Sequence, residues 1–332
     1  MDEKWISAEP GVDLGPATKA PGAPAGWWDR RWIGYFVYVG ILSLVCCGPL
    51  VALGRYALKQ ELHSHILLIP LVSLYLASLK RDSLPRERRG STAGAVVGAL
   101  IFMVAAAAVF FGPTLSDTPA LAHHDAMVRT AACYALLLVA GGFVFLGTSW
   151  MRLLVFPFAL LVFMVPLPHM AVVTLEDLLM RASAWLAHVL FQWTGTPVFR
   201  IGQTLELPGT TLEVARNCSG IRSSWVLFIT SLIASYMFLS STWHRGILVA
   251  MVIPLGILRN AIRVLVIGLL CVHVDPEMID SWIHHRGGPL FFAVSLVPLF
   301  AAAAWFSYRE KQAAHTRHGS ASAPEAAPHS DR

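Results

Sequence analysis

Residues 213–239 read EVARNCSGIRSSWVLFITSLIASYMFL, a polar and basic segment that passes directly into a long apolar run. Asn217 and Ser219 are favourable helix N-cap residues, so a membrane helix is predicted to begin here. Cys218 then lies just before this helix or in its first turn. A thiol at that position experiences the positive end of the helix dipole, which favours the nucleophilic thiolate.

Cys218 has polar and basic neighbours, which sets it apart from the other cysteines of the chain. Arg216 and Arg222 add positive charge on both sides of it, which also favours the thiolate. The alternative is that Cys218 is a small buried hydrophobe, the usual state of a cysteine in an apolar protein. We predict that state for the four cysteines that lie in or at the ends of apolar runs, namely Cys46, Cys47, Cys133 and Cys271.

The composition indicates a protein that crosses a membrane several times. The 332 residues are 56% hydrophobic and 14% charged, with a mean hydropathy of +0.60, which is too apolar for a soluble domain. The formal net charge of +5 fits basic cytoplasmic loops better than nucleic-acid binding. Five cysteines without a CxxC spacing argue against a zinc site and a disulfide scaffold, and we expect neither a metal nor a cofactor.

Eight apolar runs predict eight membrane spans. They lie near residues 33–54, 65–79, 93–112, 131–148, 152–167, 223–241, 246–271 and 289–306. Basic residues fall in alternate loops, at Arg30, Arg31, Lys80, Arg81, Arg86, Arg88, Arg89, Arg245, Arg309 and Lys311. Because cytoplasmic loops carry the excess of Lys and Arg, both termini are predicted to lie in the cytoplasm.

Residues 171–195 do not fit this count of spans. Their charged residues stand among apolar residues that recur at helical spacing, namely Leu175, Leu178, Leu179, Ala182, Trp185 and Leu186. This pattern predicts an interfacial or re-entrant helix. Residues 197–214 then predict a short extracytoplasmic hairpin with a turn at Pro208-Gly209. The fold class is therefore an all-α polytopic membrane protein with about eight transmembrane helices and these two additions.

The apolar run 246–271 contains three polar residues, Arg259, Asn260 and Arg263. Their spacing allows all three to share one broad face of a helix. Charged residues within a span are costly and usually face a polar interior or a site. Arg263 lies too deep in the run to be an end anchor, so we expect it at a site. For Arg259 we favour a structural role, as an arginine that pairs with a carboxylate or reaches the interface.

The loop after this span contains the histidine pair His284 and His285. Histidine is suited to proton transfer near neutral pH. The pair does not have a typical metal-ligand spacing, nor does the segment His123-His124-Asp125, so metal binding is not favoured. With Cys218 and Arg263, a histidine completes the nucleophile, oxyanion stabiliser and proton carrier that acyl transfer at a peptide bond requires.

The chain resembles the exosortase/archaeosortase family of membrane cysteine transpeptidases over roughly residues 60 to 306. The strongest part of the resemblance is CSGIRS at 218–223, followed by NAIRV at 260–264 and by His284 with Gly288. Further similar segments are HSH at 63–65, LLIP at 67–70, FMVPLP at 163–168, LPG at 207–209 and LEV at 212–214. His285 is a departure, because the family often has Asp at that position.

The resemblance implies a catalytic set of Cys218, Arg263 and His284, with His285 as the alternative histidine. It implies that Arg222 and Asn260 orient these groups or bind an acidic residue of the substrate. Expected substrates are membrane-anchored proteins with a C-terminal sorting signal, which consists of a Pro-Glu-Pro-like motif, a transmembrane helix and a basic tail. The expected location is the inner membrane, with the site on the extracytoplasmic face.

Two other functional classes are compatible with a polytopic membrane protein. A non-catalytic assembly factor for exopolysaccharide or lipid-linked glycan would use its polar intramembrane residues to bind a head group. A secondary transporter would show an inverted internal repeat, and the sequence has none. The predicted organisation is a disordered cytoplasmic tail (1–30), the transmembrane domain (31–308) and a second disordered cytoplasmic tail (309–332).

Overall fold

The computed structural model of the chain describes residues 30–59, 61–80, 83, 92–111, 119–214, 220–275 and 288–321. The α-helices are α1 (Arg30–Val45), α2 (Cys47–Lys59), α3 (Ile69–Leu79), α4 (Thr92–Phe111), α5 (Pro119–Gly141), α6 (Thr148–Leu153), α7 (Val155–Leu160), α8 (His169–Trp193), α9 (Ile221–Phe238), α10 (Thr242–Ala250), α11 (Val252–His273) and α12 (Gly288–Ala321). The strands are β1 (Phe199–Ile201), β2 (Thr204–Leu207) and β3 (Thr210–Glu213). Shorter helical turns are the 3₁₀ segments Glu61–Leu67 and Leu161–Met164 and the π segment Gly142–Leu146.

The described residues contain five helical stretches that are long and apolar enough to cross a membrane. They are Leu62–Leu79, His124–Leu146, Ile221–Phe238, Thr242–His273 and Gly288–Thr316. Two bent pairs raise the number to seven if each pair is one span, Arg31–Val45 with Cys47–Lys59 and Val155–Met164 with His169–Trp193. The chain is therefore a mostly helical polytopic protein, while the count of eight spans stays a prediction.

The bends correct two of the predicted spans. The run 33–54 is not one straight helix, because α1 and α2 meet at an angle of 80°. The run 152–167 is broken into short helical segments, and α8 then turns away from them by 90°. The last helix also continues past residue 308 to Ala321, so the domain boundary drawn there falls inside a helix.

The described residues divide into two compact units. The first takes its residues from Met1–Gly48, Ile69–Phe111 and Ala132–Val162. Its core is formed by Trp32, Tyr35, Ala77, Leu146, Trp150 and Leu154. Tyr35 is buried in this core, and its hydroxyl donates to the Leu138 carbonyl at 3.2 Å.

The second unit takes its residues from Pro49–Leu68, Gly112–Ala131 and Phe163–Arg332. One of its cores lies between α8, α11 and the three-stranded sheet, and its members are Met180, Ala184, Ala187, Phe191, Leu205, Leu207, Leu212, Val214, Ala261, Val264, Ile267 and Cys271. Gly268 of α11 makes room for this core, since a Cβ there would overlap the Phe191 ring and lie 2.9 Å from a Leu212 methyl group.

Of the six residues predicted to make α8 amphipathic, Leu186 packs against this core, and none of the six is among its buried members. Leu178 and Trp185 are more than half exposed at the protein surface. The buried face carries Ala184 and Ala187 instead, because small side chains allow α11 to approach closely. The helix itself was predicted, whereas its interfacial or re-entrant placement stays a prediction.

The predicted strands are confirmed. The three segments form an antiparallel sheet of order β1-β2-β3, with Leu205 opposite Leu212 and Leu207 opposite Thr210. Pro208-Gly209 makes the turn between β2 and β3, and Gly209 has a φ of +80°, which favours glycine. The Gln203 amide donates to Asp177 of α8 at 2.9 Å, so the sheet is fixed to the helix that precedes it.

The other core of the second unit lies between α9, α10, α11 and α12. Its buried residues are Leu227, Leu239, Leu248, Val252, Leu299, Ala303 and Phe306. The Glu310 carboxylate of α12 accepts hydrogen bonds from the backbone N–H groups of Ser240 and Ser241 at 2.7 and 3.0 Å. One carboxylate thus joins the last helix to the turn between α9 and α10.

Candidate active site

The structure describes three of the six predicted site residues, namely Arg222, Asn260 and Arg263. The other three lie in segments outside the described residues, namely Cys218, His284 and His285. Arg222 lies in the first turn of α9, and Asn260 and Arg263 lie on α11. Arg222 is exposed, Arg263 is half-buried and Asn260 is buried.

Gly220 leads the chain from the Cys218 segment into α9. The helix begins at Ile221, and its N-cap is Gly220, whose φ is +70°. The prediction that Asn217 or Ser219 caps the helix is therefore wrong. Gly220 has no side chain to cap α9, and its left-handed backbone, which only glycine adopts easily, sets the direction of entry. Cys218 consequently precedes the helix.

Arg259 of α11 holds this entry point. Its Nη2 donates to the Gly220 carbonyl at 3.0 Å and lies 3.3 Å from the Ser224 hydroxyl. The side chain is only 7% exposed. Arg259 therefore neither reaches the interface nor, within the described residues, pairs with a carboxylate, which corrects the two roles considered from the sequence.

The two helices approach closely along this contact. A Cβ at Gly256 of α11 would lie 2.7 Å from the Ser224 hydroxyl oxygen. A Cβ at Gly220 would lie 2.8 Å from Arg259 Nη2 and 3.3 Å from Asn260 Oδ1. Glycines at these positions thus bring the polar face of α11 against the first turn of α9.

The described part of the site carries several positive charges. Arg222 and Arg259 both lie within electrostatic reach of Arg263. A negatively charged group close to these guanidinium groups is attracted to them. This arrangement is suited to binding a carboxylate or a developing oxyanion.

A histidine contacts α9 one turn further along. Trp225 Nε1 donates to His65 Nε2 at 3.2 Å, and the Trp225 ring packs against Phe163 with centroids 5.7 Å apart. The indole N–H can only donate, so His65 Nε2 accepts and this imidazole is neutral. His65 entered the sequence analysis only through the resemblance. A histidine at the edge of an apolar run gives no further signal of this contact.

A second group of aromatic and histidine side chains contains His63, Tyr56 and His124. The His63 ring lies 5.2 Å from the Tyr56 ring and 6.4 Å from the His124 ring, centroid to centroid. His63 is buried. Among the described residues, no three His, Cys, Asp or Glu side chains are placed to hold a metal ion.

A family model described as transmembrane exosortase matches residues 57–301, about three quarters of the chain. The matched region includes all six predicted site residues and also Gly220 and Arg259. No curated protein and no solved structure matches the chain.

Proposed function

This chain belongs to the transmembrane exosortase family, and we propose that it is a cysteine transpeptidase or protease that cleaves the C-terminal sorting signals of exported proteins. The family and the five to seven apolar helical spans make it a multi-pass membrane protein with an exosortase-type function. The chemistry and the substrate class are the proposed part.

In the proposed reaction, the Cys218 thiolate attacks the scissile carbonyl carbon. A C–S bond forms, and the carbonyl electron pair moves onto oxygen, where Arg263 stabilises it. The C–N bond then breaks, His284 gives its proton to the leaving amine, and a thioester remains on Cys218. An acceptor amine, hydroxyl or water attacks the thioester, transfers its proton to His284 and releases the thiolate. His285 is the alternative proton carrier.

The observation that carries this proposal is the packing of a cationic, polar face of α11 against the first turn of α9. Arg259 donates to Gly220, which is two residues after Cys218 in the chain. Arg263 follows Arg259 by one helical turn. Donors arranged around the start of the helix that follows the nucleophile fit a reaction that develops negative charge on oxygen.

The proposed substrates are membrane-anchored proteins that carry a Pro-Glu-Pro-like motif before a transmembrane helix and a basic tail. Arg222 and Asn260 are proposed to orient the reacting groups or to bind the acidic residue of that motif. We place the protein in the inner membrane with this site on the extracytoplasmic face. The reaction as proposed uses neither a metal nor a cofactor.

The test is processing of a tagged precursor in membranes. Cys218→Ala should insert normally, because a small residue before a helix alters little packing, yet it should leave the precursor uncut. Cys133 and Cys271 are buried as predicted, whereas Cys46 is only partly buried and Cys47 is exposed, which corrects the prediction for these two. Cys47→Ala is the matched control, since Cys47 is exposed, and it should process at the normal rate. Immunoblots check the amount of each protein. Normal processing by Cys218→Ala would show that the thiol mechanism is wrong.

A further inference from the structure

Arg259 and Asn260 of α11 each have a buried hydrogen-bond donor without a partner among the described residues. The Arg259 side chain is 7% exposed and the Asn260 side chain 2% exposed. Neither Arg259 Nη1 nor Asn260 Nδ2 forms a hydrogen bond within the structure described. Buried polar groups in folded proteins are almost always paired, so unpaired donors indicate the position of a ligand, an ion or water.

Both donors lie at the N-terminus of α9. Arg259 Nη2 and Asn260 Oδ1 are the atoms closest to the Cβ position of Gly220, so the remaining nitrogen of each side chain lies within a few ångströms of the same point. This point is also the N-terminus of α9, which is the positive end of its helix dipole. Two side-chain donors therefore meet at one place without an acceptor among the described residues.

The electrostatics of this place select a negative ligand. Arg259 carries a full charge and is buried, and the helix dipole of α9 has the same sign. A neutral ligand or water would satisfy the hydrogen bonds but would leave the buried charge of Arg259 without a counter-ion. An anion satisfies both.

We propose that Arg259 and Asn260, at the N-terminus of α9, form an anion-binding site that takes a negatively charged oxygen of the substrate during cleavage. The identity of the ligand rests on the proposed function, whereas the site itself rests on the described residues. The oxygen is either the oxyanion formed at the scissile carbonyl or the carboxylate of an acidic side chain in the sorting signal.

Alkylation of Cys218 tests the site without any substrate. Iodoacetate is an anion and iodoacetamide is its neutral analogue of similar size. Both react with the thiolate, so the ratio of their rates does not depend on how much thiol is ionised. Two peptide units separate Cys218 from Gly220, so their Cα atoms lie within about 7.6 Å of each other. We expect the iodoacetate-to-iodoacetamide ratio at Cys218 to exceed that at the exposed Cys47 in the detergent-solubilised full-length protein.

Two substitutions should lower this ratio at Cys218. Arg259→Gln removes one charge and should lower the ratio roughly five- to tenfold, because Arg222 and Arg263 remain. Asn260→Asp keeps the shape of the side chain and places a carboxylate in the site, so a similar decrease is expected. Arg200→Gln, on the exposed strand β1, should leave the ratio unchanged. If both site variants keep the wild-type ratio, the proposal is wrong.

Folding is checked by the iodoacetamide rate at Cys218, by the unfolding temperature and by Arg259→Lys. Lysine retains the charge and should keep most of the ratio in a folded protein. If Arg259→Lys is folded and its iodoacetate-to-iodoacetamide ratio at Cys218 is as low as that of Arg259→Gln, the proposed role of the charge is wrong. Since no precursor is used, this result stands even if Cys218 proves not to be the nucleophile of processing.

A precursor and its variant with Gln in place of the acidic signal residue identify the ligand. If Arg259→Gln slows only the acidic precursor, the ligand is the carboxylate. If it slows both precursors equally, the ligand is the oxyanion. If it slows neither although the alkylation ratio has fallen, the substrate is not the ligand and the proposal is overturned.

Discussion

At the scale of single residues, Gly220 is subject to two constraints at once. Its φ of +70° is strained for any side chain, and a Cβ would lie 2.8 Å from Arg259 Nη2. We predict that Gly220→Ala lowers the free energy of unfolding by about 2–3 kcal/mol, from the left-handed backbone and the displaced guanidinium together. The unfolding temperature of the detergent-solubilised protein measures this loss of stability. Precursor processing by Gly220→Ala should also decrease, because the Arg259 guanidinium is displaced.

Gly209→Ala is the matched control for this substitution. Gly209 has a φ of +80°, yet nothing lies within 4 Å of its Cβ position. Its replacement therefore adds only the backbone strain, about 1–2 kcal/mol. Equal losses of stability and normal processing in both variants would show that the contact with Arg259 is unimportant.

Arg263 allows charge to be separated from geometry. If it stabilises an oxyanion through directed N–H donors, lysine should not replace it, since an ammonium group lacks the planar fork. We predict that Arg263→Lys processes a tagged precursor at least about a hundredfold more slowly, as loss of an oxyanion donor typically does. Arg200→Lys should process normally. Near-normal conversion by Arg263→Lys would remove Arg263 from this role and make Arg222 the next candidate.

The residue types of the candidate site are visible in the sequence and their chemistry stays a prediction, whereas the contacts of the described site residues could not be foreseen. A cysteine among basic residues and arginines within an apolar run are visible in the sequence. The contact of Arg259 was missed because its acceptor is the backbone carbonyl of Gly220, 39 positions away. A backbone acceptor cannot be recognised from residue types. The predicted N-cap of α9 was wrong because the N-cap residue is Gly220, whose left-handed backbone conformation begins the helix without a capping side chain.

At the scale of elements, two helical glycines should respond oppositely to the same change. A Cβ at Gly268 would overlap Phe191, whereas Gly246 of α10 has nothing within 4 Å. Gly268→Ala should destabilise the protein by about 1–3 kcal/mol through overpacking between α8, α11 and the sheet. Gly246→Ala should be neutral or stabilising by up to about 1 kcal/mol. Unfolding temperatures compare them, and a stable Gly268→Ala protein would contradict the packing described.

The elements differ in how far the sequence predicts them. The strands were correct because Pro208-Gly209 is a specific turn signal between alternating residues. The bend between α1 and α2 was missed because residues on both sides are equally apolar, so hydropathy detects one continuous run. The packing face of α8 was largely missed because its buried residues differ in size, from Ala184 and Ala187 to Met180 and Phe191, so they do not form the stripe of large apolar residues that hydropathy detects.

At the scale of the whole molecule, the orientation in the membrane can be tested directly. Glu206→Cys lies at an exposed position of β2, and Gln312→Cys lies at an exposed position near the end of α12. The distribution of basic residues predicts that an impermeant maleimide labels position 206 from outside and labels position 312 only after the membrane is opened. The opposite labelling pattern would show that the orientation in the membrane is the reverse of the predicted one, with the proposed site on the cytoplasmic face.

Arg259 also matters while the protein is being made. Each charged residue at the centre of a membrane helix raises the free energy of insertion by about 2.5–3.5 kcal/mol, and α11 contains two arginines and an asparagine. The acceptors of Arg259 are on α9, which is synthesised first. We therefore expect α9 to be present at the translocon when α11 arrives, so that Arg259 can form its hydrogen bonds as α11 enters the lipid. The order of the two helices in the chain would in this way lower the free energy of inserting α11.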